Sequence, residues 1–502
     1  MNRKPVISVR GLRRFLFIPL LASPIFWLSA HADSSGCLIT WQPIQQVSLS
    51  AYSSFGARLV VSGDTAHVIF KSAGIRYIRS TDAGNTWSPA VVLVSSDSTP
   101  ASLRDRPFAG SGNYLYLVWE SRTYAGIYFK PSSDAGLTWT SDTLLLPTVG
   151  YSWFQYPTVA AYGKWVYVSG IRCFGACRNY LVRSSDYGGT WDSIRVLPNP
   201  PEMHVVEDMV AVDSSVHIVT RRFGTVTEEV GYLGSSDRGL PWTPEIYLSS
   251  VDSWYTQSRS IAAAPGGGVA VCWVDKKYGQ WTGFSGSLLV RVSTDAGTSW
   301  SQETTVSTIP SAVDSAVSFG DNRLSFVWDD ERSRGASSRV FFRTGIPGGT
   351  AWCPETELSV GDTISTASLD PSVAVDNGVV YAAFSVRPPS PDQIYLRRGS
   401  IVTSIEEPGD AKSTPETAFL YPAYPNPFNS QTTIEYDMER AGPVRLKLHD
   451  ILGREAMVIW EGHTPQGRHR TSLRAVGLAS GVYFIVLQTE RHTFVRPVAL
   501  TR

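Results

Sequence analysis

STDAGNTW at 80–87 returns four times along the chain, as SSDAGLTW (132–139), SSDYGGTW (184–191), SSDRGLPW (235–242) and STDAGTSW (293–300). The shared pattern is S-[ST]-D-x-G-x-x-W. Its aspartates Asp82, Asp134, Asp186, Asp237 and Asp295 stand 52, 52, 51 and 58 residues apart. A degenerate sixth copy, TGIPGGTAW, ends at Trp352. A period of this size marks a supersecondary unit that cannot bury its apolar face alone and must stack on its neighbours.

The residue types say what each copy does locally. An Asp followed two residues later by Gly suits a tight turn: the carboxylate accepts from turn N–H groups and the Gly takes a positive φ. The Ser and Thr hydroxyls add local bonds, and the Trp anchors the turn on apolar neighbours. Each copy follows a short alternating run, such as GIRYIRS (74–80), and precedes another, such as SPAVVLVS (88–95), so the motif belongs at a hairpin tip.

A second element recurs with the same rhythm. Two-strand hairpins read RPFAGSGNYLYLVWESR (106–122), YPTVAAYGKWVYVSGIR (156–172), EDMVAVDSSVHIVTRR (207–222), RSIAAAPGGGVAVCWVDKK (259–277), DSAVSFGDNRLSFVWDDER (314–332) and DPSVAVDNGVVYAAFSVR (370–387). ARLVVSGDTAHVIF (57–70) starts the series. The last hairpin is followed by QIYLRRGS (393–400) but by no outer strand; TWQPIQQVSLS (40–50), near the N-terminus, resembles the segments that follow the motif elsewhere, with Trp41 in the motif-end place. The N-terminal piece is therefore expected to complete the last unit and remove an open edge.

This pattern resembles the Asp-box repeat of sialidase-like β-propellers, over about residues 37–403. The resemblance implies an all-β propeller, with seven blades favoured by the hairpin count and six the alternative, since sialidases are six-bladed. It also implies that the boxes lie on turns away from the active face. Asp82, Asp134, Asp186, Asp237 and Asp295 are then structural, against a metal-binding or catalytic alternative.

Lys+Arg and Asp+Glu number 44 each, so no global field recruits nucleic acid or an anionic membrane. With 16 Trp, 42 Gly and 31 Pro, and no long amphipathic pattern, the chain suits twisted strands and frequent turns. Basic residues from Arg3 to Arg14 precede FLFIPLLASPIFWLSA, and Ala30-His31-Ala32 then gives a small-x-small cleavage pattern. Residues 1–32 read as a secretory signal peptide, the alternative being an uncleaved membrane helix; no transmembrane anchor is expected in the mature chain. Five cysteines follow in a disulfide-permissive compartment. Cys173 and Cys177, in RCFGACR, could staple their loop, and Cys272 reads as inert core. The odd count leaves one thiol over unless it pairs between chains. No metal site and no cofactor is expected.

Composition shifts again at SIEEPGDAKSTPETAF, which reads as a linker over 404–419. Alternating runs beyond it (TTIEYDM, VRLKLHD, GVYFIVL, TFVRPVAL) suggest a small Ig-like β-sandwich over 420–502. Tyr424-Pro425-Asn426-Pro427-Phe428-Asn429, Asp450 with Gly453-Arg454, and Ser480-Gly481-Val482-Tyr483-Phe484 resemble the C-terminal sorting domain of the bacterial type IX secretion system. That resemblance implies a Gram-negative envelope, export by the type IX machinery, and a protein secreted or held at the outer-membrane cell surface. A plain accessory sandwich is the alternative.

Aligning the hairpins sets one residue per unit near the axis at the end away from the motifs: Ala57, Arg106, Tyr156, Glu207, Arg259, Asp314 and Asp370. Incoming loops add Asp105 and the rings Tyr151, Trp153, Trp254, Tyr255 and Trp281; outgoing loops add Asp329, Asp330, Glu331 and Arg332. Rings beside charged groups suit a glycan or an extracellular polymer. The sialidase resemblance would instead imply an exo-sialidase or related glycoside hydrolase, with Tyr156 and Glu207 as nucleophile pair, Asp105 as acid–base, and Arg106 and Arg259 in an arginine cluster. The R-I-P signature that opens the sialidase domain is missing, and arginines recur with the repeat, which favours binding over hydrolysis.

Overall fold

The computed structural model describes residues 37 and 39–501, apart from the segments 96–102, 104–105, 122–125, 149–153, 199–203, 224–226, 279–284, 333–337, 349–351, 360–367, 387–390, 402–418, 424–425 and 491–492 and a few single positions. The signal-peptide stretch and nearly all of the linker lie outside the described residues. The chain divides into two compact units, 1–405 and 406–502.

In the first unit, seven antiparallel sheets follow one another among the described residues, at 55–95, 108–147, 154–196, 204–247, 256–305, 312–357 and 368–401. Each of the first six is a simple four-strand meander. The seventh has three strands of its own and takes its outer edge from Ile39–Trp41 and Gln45–Gln46, both paired with Gln393–Ile401. The first strand of every sheet packs on the first strand of the next, and Ser368–Asp376 packs back on Phe55–Ser62, so the series closes on itself as a β-propeller.

The repeated motif joins the third and fourth strands of its sheet. Asp82 Oδ1 accepts from Ser80 Oγ at 2.7 Å and from Thr86 N at 2.9 Å, while Oδ2 accepts from Thr86 Oγ1 at 2.7 Å. Asp134, Asp186 and Asp295 repeat the arrangement with their own Ser, Thr or Ser partners. These hydrogen bonds, led by those from the side chain at the fourth residue on, hold all four carboxyls down at about 2. The copy at Asp237 has Pro241 where the donor stands elsewhere, and proline offers neither N–H nor hydroxyl.

The motif also fastens each sheet to the one before it. Trp139 stands edge-on to Tyr77 at 5.2 Å, Trp191 to Phe129 at 4.9 Å and Trp300 to Tyr232 at 4.8 Å, whereas Trp352 meets Phe326 of its own sheet at 5.2 Å. Trp41 stands edge-on to Phe342 of the sixth sheet at 5.1 Å, so the N-terminal strand supplies the ring that the seventh sheet's own sequence omits. The residue after the Trp donates its N–H to the third strand in every sheet, from Ser88 to Arg79 O through Cys353 to Thr344 O and, across the termini, Gln42 to Arg398 O. At Gly136 (φ +75°) and Gly297 (φ +83°) an added Cβ would lie 1.9 and 1.8 Å from the hydroxyls of Tyr77 and Tyr232, so only glycine permits this approach. Those tyrosines in turn meet His67 Nδ1 and His217 Nδ1 at 2.7 Å. Burial pulls both imidazoles down to about 4.

Cys173 and Cys177 face one another across the hairpin of the third sheet and are disulfide-bonded. A second bridge, Cys37–Cys353, ties the N-terminal strand to the residue after Trp352 across 316 positions, and Cys272 is a free thiol within the core. Asp329 and Asp330, expected in an outgoing loop, instead end the strand Arg323–Asp330 and are both buried.

The second unit is two antiparallel sheets sharing one core. Phe419–Leu420, Gln431–Met438 and Gly467–Arg474 form one; Glu455–Thr464, Gly442–His449, Gly481–Gln488 and Thr493–Leu500 form the other. Strict alternation, as in Gln431–Met438, turns Ile434, Tyr436 and Met438 inward against Leu446, Leu448, Ile485 and Leu487.

Candidate functional site

Antiparallel pairing sends the motifs and the first hairpin turn to one end of each sheet, and the start of the first strand to the other. At that second end the register slips in six sheets, between Phe55/Arg58, Gln155/Thr158, Val206/Asp208, Gln257/Ser260, Ala312/Ser315 and Leu369/Ser372. Each slip is a β-bulge, which bends the strand and re-aims the extra residue. Tyr156, Ser258 and Asp370 take positive φ values of 53°, 51° and 54° in these bulges. The extra residues therefore turn towards the axis instead of into the sheet.

They surround a cavity of about 650 Å³. Six of the seven aligned residues line it: Arg106, Tyr156, Glu207, Arg259, Asp314 and Asp370. Ala57 does not reach it, being fully buried with a single side-chain carbon, and Arg58 takes that sector. Arg221, Glu228 and Glu331, from outgoing strand ends and loops, complete the charged wall with Gln257, Ser258, Ser315 and Ser372 between them.

The arginines are bound to carboxylates of neighbouring strands. Arg259 Nη1 lies 3.1 Å from Glu207 Oε2, and its Nη2 donates to Thr256 O at 2.7 Å and Thr256 Oγ1 at 2.6 Å. Arg221 Nε lies 3.0 Å from Glu207 Oε1, so Glu207 is held between two guanidinium groups. Both arginines also approach Glu228, at 3.9 and 3.8 Å. Arg221 further stands 5.7 Å from the ring centre of Tyr156. Arg106 Nε lies 3.3 Å from Asp208 Oδ2, behind the wall, and its Nη2 donates to Ser260 Oγ. Burial raises the Asp208 carboxyl, opposed by Arg106 and by the N–H groups of Ile261 and Met209.

Asp329 has less support. It is 1% exposed, and neither oxygen completes a hydrogen bond, the Asp370 backbone amide giving only partial compensation. Burial, then the nearby charges of Asp314 and Asp370, push its carboxyl well above the usual range.

Other sequence candidates lie elsewhere. Trp254 and Tyr255 are about half exposed and stand outside the cavity lining, although Tyr255 adjoins Thr256, the acceptor of Arg259. Tyr151, Trp153, Trp281 and Asp105 fall outside the described residues. The repeat arginines Arg172, Arg222 and Arg332 are engaged in their own sheets, with Tyr180, Glu245 and the Asp330–Glu355 pair. Among the described residues, no group of three or more His, Cys, Asp or Glu side chains is arranged to hold a metal ion.

In the second unit, the motif residues form a clasp on the last strand. Asn426 Oδ1 accepts from Ala499 N at 2.8 Å and its Nδ2 donates to Pro497 O at 3.2 Å. Phe428, next to Pro427, is buried, and its backbone bonds to Ala499 O and Thr501 N. Gly453 takes a positive φ in the turn closed by its N–H to Asp450 O, and Gly481 opens the strand Gly481–Gln488. Pro425 lies outside the described residues.

Residues 422–500 match the secretion system C-terminal sorting domain, which marks the chain for export. No curated protein matches the chain by sequence. Among solved structures, a protein of unknown function from Dyadobacter fermentans is 14% identical with a TM-score of 0.45, over 72% of this chain and 99% of that one. Polysaccharide lyase Uly1 is 11% identical with a TM-score of 0.46, over 72% and 93%. The Hadza microbial sialidase Hz136 is 13% identical with a TM-score of 0.41, over 68% and 74%. None of these likenesses bears on the chemistry of the cavity.

Proposed function

We propose that this chain is a seven-bladed Asp-box propeller that binds a glycan or extracellular polymer in its axial cavity. Residues 1–32 are its export signal, and the Ig-like sorting domain delivers it through the type IX machinery of a Gram-negative bacterium, to the surface or beyond. The observation that carries the reading is the cavity itself: bulges from six successive sheets converge on one space, and most of the residues that line it are charged or polar. Fixed carboxylate–guanidinium pairs offer sugar hydroxyls acceptors and donors that need no reorganisation. Tyr156, 37% exposed, gives a ring against which a pyranose can stack.

A sialidase reading draws support from Tyr156 and Glu207 sharing the cavity. Against it, Arg106, Arg221 and Arg259 are each held by a carboxylate of the protein, whereas a sugar carboxylate needs guanidinium groups converging on its own oxygens. The test pairs a glycan array with hydrolysis of a fluorogenic sialoside. Binding without turnover, lost in Arg259→Ala, supports the proposal. Turnover abolished by Tyr156→Phe would replace it with the sialidase.

A further inference from the structure

At the motif end, two neighbouring seams depart from the repeat. The residue between the Asp and the Gly of the motif is alanine in three copies (Ala83, Ala135 and Ala296) but Tyr187 in the third sheet and Arg238 in the fourth. All five take a positive φ, between 52° and 62°, a conformation that gives no reason to prefer a bulky side chain. The residue that opens the second strand of the preceding sheet changes in step. Tyr187 meets Tyr114 there, and Arg238 meets Trp165. On the first, fourth and seventh sheets that place holds Thr65, Ser215 and Val379, each matched by alanine in the next copy of the motif. Large side chains on both sides of a seam are therefore confined to two adjacent seams.

The rings on this patch are fixed in place. Tyr187 lies flat on Tyr114, with ring centres 4.1 Å apart and 17° between planes, and is still 40% exposed. Its N–H donates to Lys164 O at 2.9 Å, and the Gly163 N–H of the same turn donates to Ser111 Oγ at 2.9 Å, which ties the turns of the second and third sheets together. Tyr162, just before that turn, is 37% exposed and donates to Asp213 Oδ1 of the fourth sheet at 3.0 Å. Trp165, paired with Tyr162 across the turn, carries the guanidinium groups of Arg183 and Arg238 at 5.2 and 5.4 Å. Two exposed rings held by their neighbours spare a ligand the cost of ordering them.

Charge and size say what the ligand is. Arg183 is paired with Asp192 at 2.6 Å and Arg238 with Asp237 at 3.6 Å, while the carboxylates of Asp186 and Asp213 offset Lys164. Such a patch does not draw a phosphate, sulfate or uronate polymer. A protein partner would need about 800 Å² on this side around an apolar core, and here the rings are interleaved with charged residues. A neutral sugar whose hydroxyls are equatorial offers C–H faces to stack on rings and hydroxyls for the polar groups between them.

We infer that Tyr187 and Tyr162, backed by Tyr114 and Trp165, form a second carbohydrate site at the motif end, one that takes a short stretch of neutral β-linked glucan. It is independent of the axial cavity. Two rings make it weak, with a dissociation constant of roughly a millimolar.

The test is saturation-transfer NMR on the full chain with cellotetraose, tetragalacturonate and a thymidine hexanucleotide as probes. Cellotetraose should receive saturation on its ring C–H protons, and the two anionic probes should not. Tyr187→Ala, which installs the residue native to three other copies and so keeps the fold, should remove the signal; Tyr187→Phe should keep it, and so should the cavity variant Arg259→Ala. No signal from cellotetraose, an undiminished signal in Tyr187→Ala, or a stronger response from either anionic probe overturns the site and leaves the cavity reading untouched. Loss in Arg259→Ala with retention in Tyr187→Ala would place the glucan in the cavity instead. Self-association that Tyr187→Ala abolishes, seen by light scattering without any sugar signal, would give the rings to a second copy of the chain.

Discussion

At the motif end, Asp82, Asp134, Asp186 and Asp295 close the same set of hydrogen bonds, whereas at the cavity end the sheets present Arg58, Arg106, Tyr156, Glu207, Arg259, Asp314 and Asp370, mostly unlike one another. The two ends share one backbone plan, so the difference lies in what each side chain is asked to do. A turn that locks one sheet to the next needs the same solution every time. A site needs a different group in each sector. Repetition here marks structure, and departure from repetition, on the same period, marks the candidate site.

The largest expected break of the motif end is covalent. Cys37→Ser removes a bridge that closes a 316-residue separation, worth roughly 5 kcal/mol in the chain-entropy account. Denaturant unfolding should show a drop of that order, while Cys173→Ser, whose bridge spans 4 positions, should cost far less. Gly136→Ala comes next: a Cβ 1.9 Å from the Tyr77 hydroxyl, at positive φ, should cost about 3 kcal/mol. The same change at Gly163, with open space around it, meets only the backbone strain, and a thermal melt should rank the two in that order.

Acid should separate the contributions by pH. His67 and His217 are held neutral to about pH 4 in the fold, while an unfolded imidazole protonates near pH ~6.5. Unfolding then takes up protons, so stability should fall as pH drops from ~6.5 to ~4, and His67→Gln should flatten that slope. The motif carboxyls, depressed to about 2, stabilise above the unfolded value near ~4 and lose that contribution as pH falls towards 2. The smallest contrast is within the repeat: Asp134→Ala should lower the melting temperature measurably, and Asp237→Ala, whose copy carries Pro241 in the donor place, should lower it less.

Much of this was legible in the chain because its physics is local or periodic. Eight residues suffice to specify the Asp–Ser–Thr turn, and the period aligns the hairpins closely enough to bring six of seven axial candidates into one cavity. What sequence could not carry is the pairing between units. Glu207 is clamped by Arg221 from its own hairpin and by Arg259 from the next sheet, a contact no spacing announces. Cys37 and Cys353 meet only because the N-terminal strand closes the last sheet. Ala57 carries a single side-chain carbon and is fully buried, which explains why Arg58 rather than Ala57 reaches the axis. The hairpin alignment sets Asp329 in an outgoing loop, yet the strand continues through Asp330 and buries it.

The most direct measurement is binding of an array-selected glycan to matched variants from the two ends, with melting temperatures recorded alongside. Glu207→Gln and Arg259→Ala should abolish or weaken binding at least about tenfold while the protein stays folded at the assay temperature, and Asp134→Ala should lower the melting temperature with affinity unchanged. Full affinity in both cavity variants, or loss of affinity in the folded Asp134→Ala protein, would contradict the assignment of the site to the cavity end.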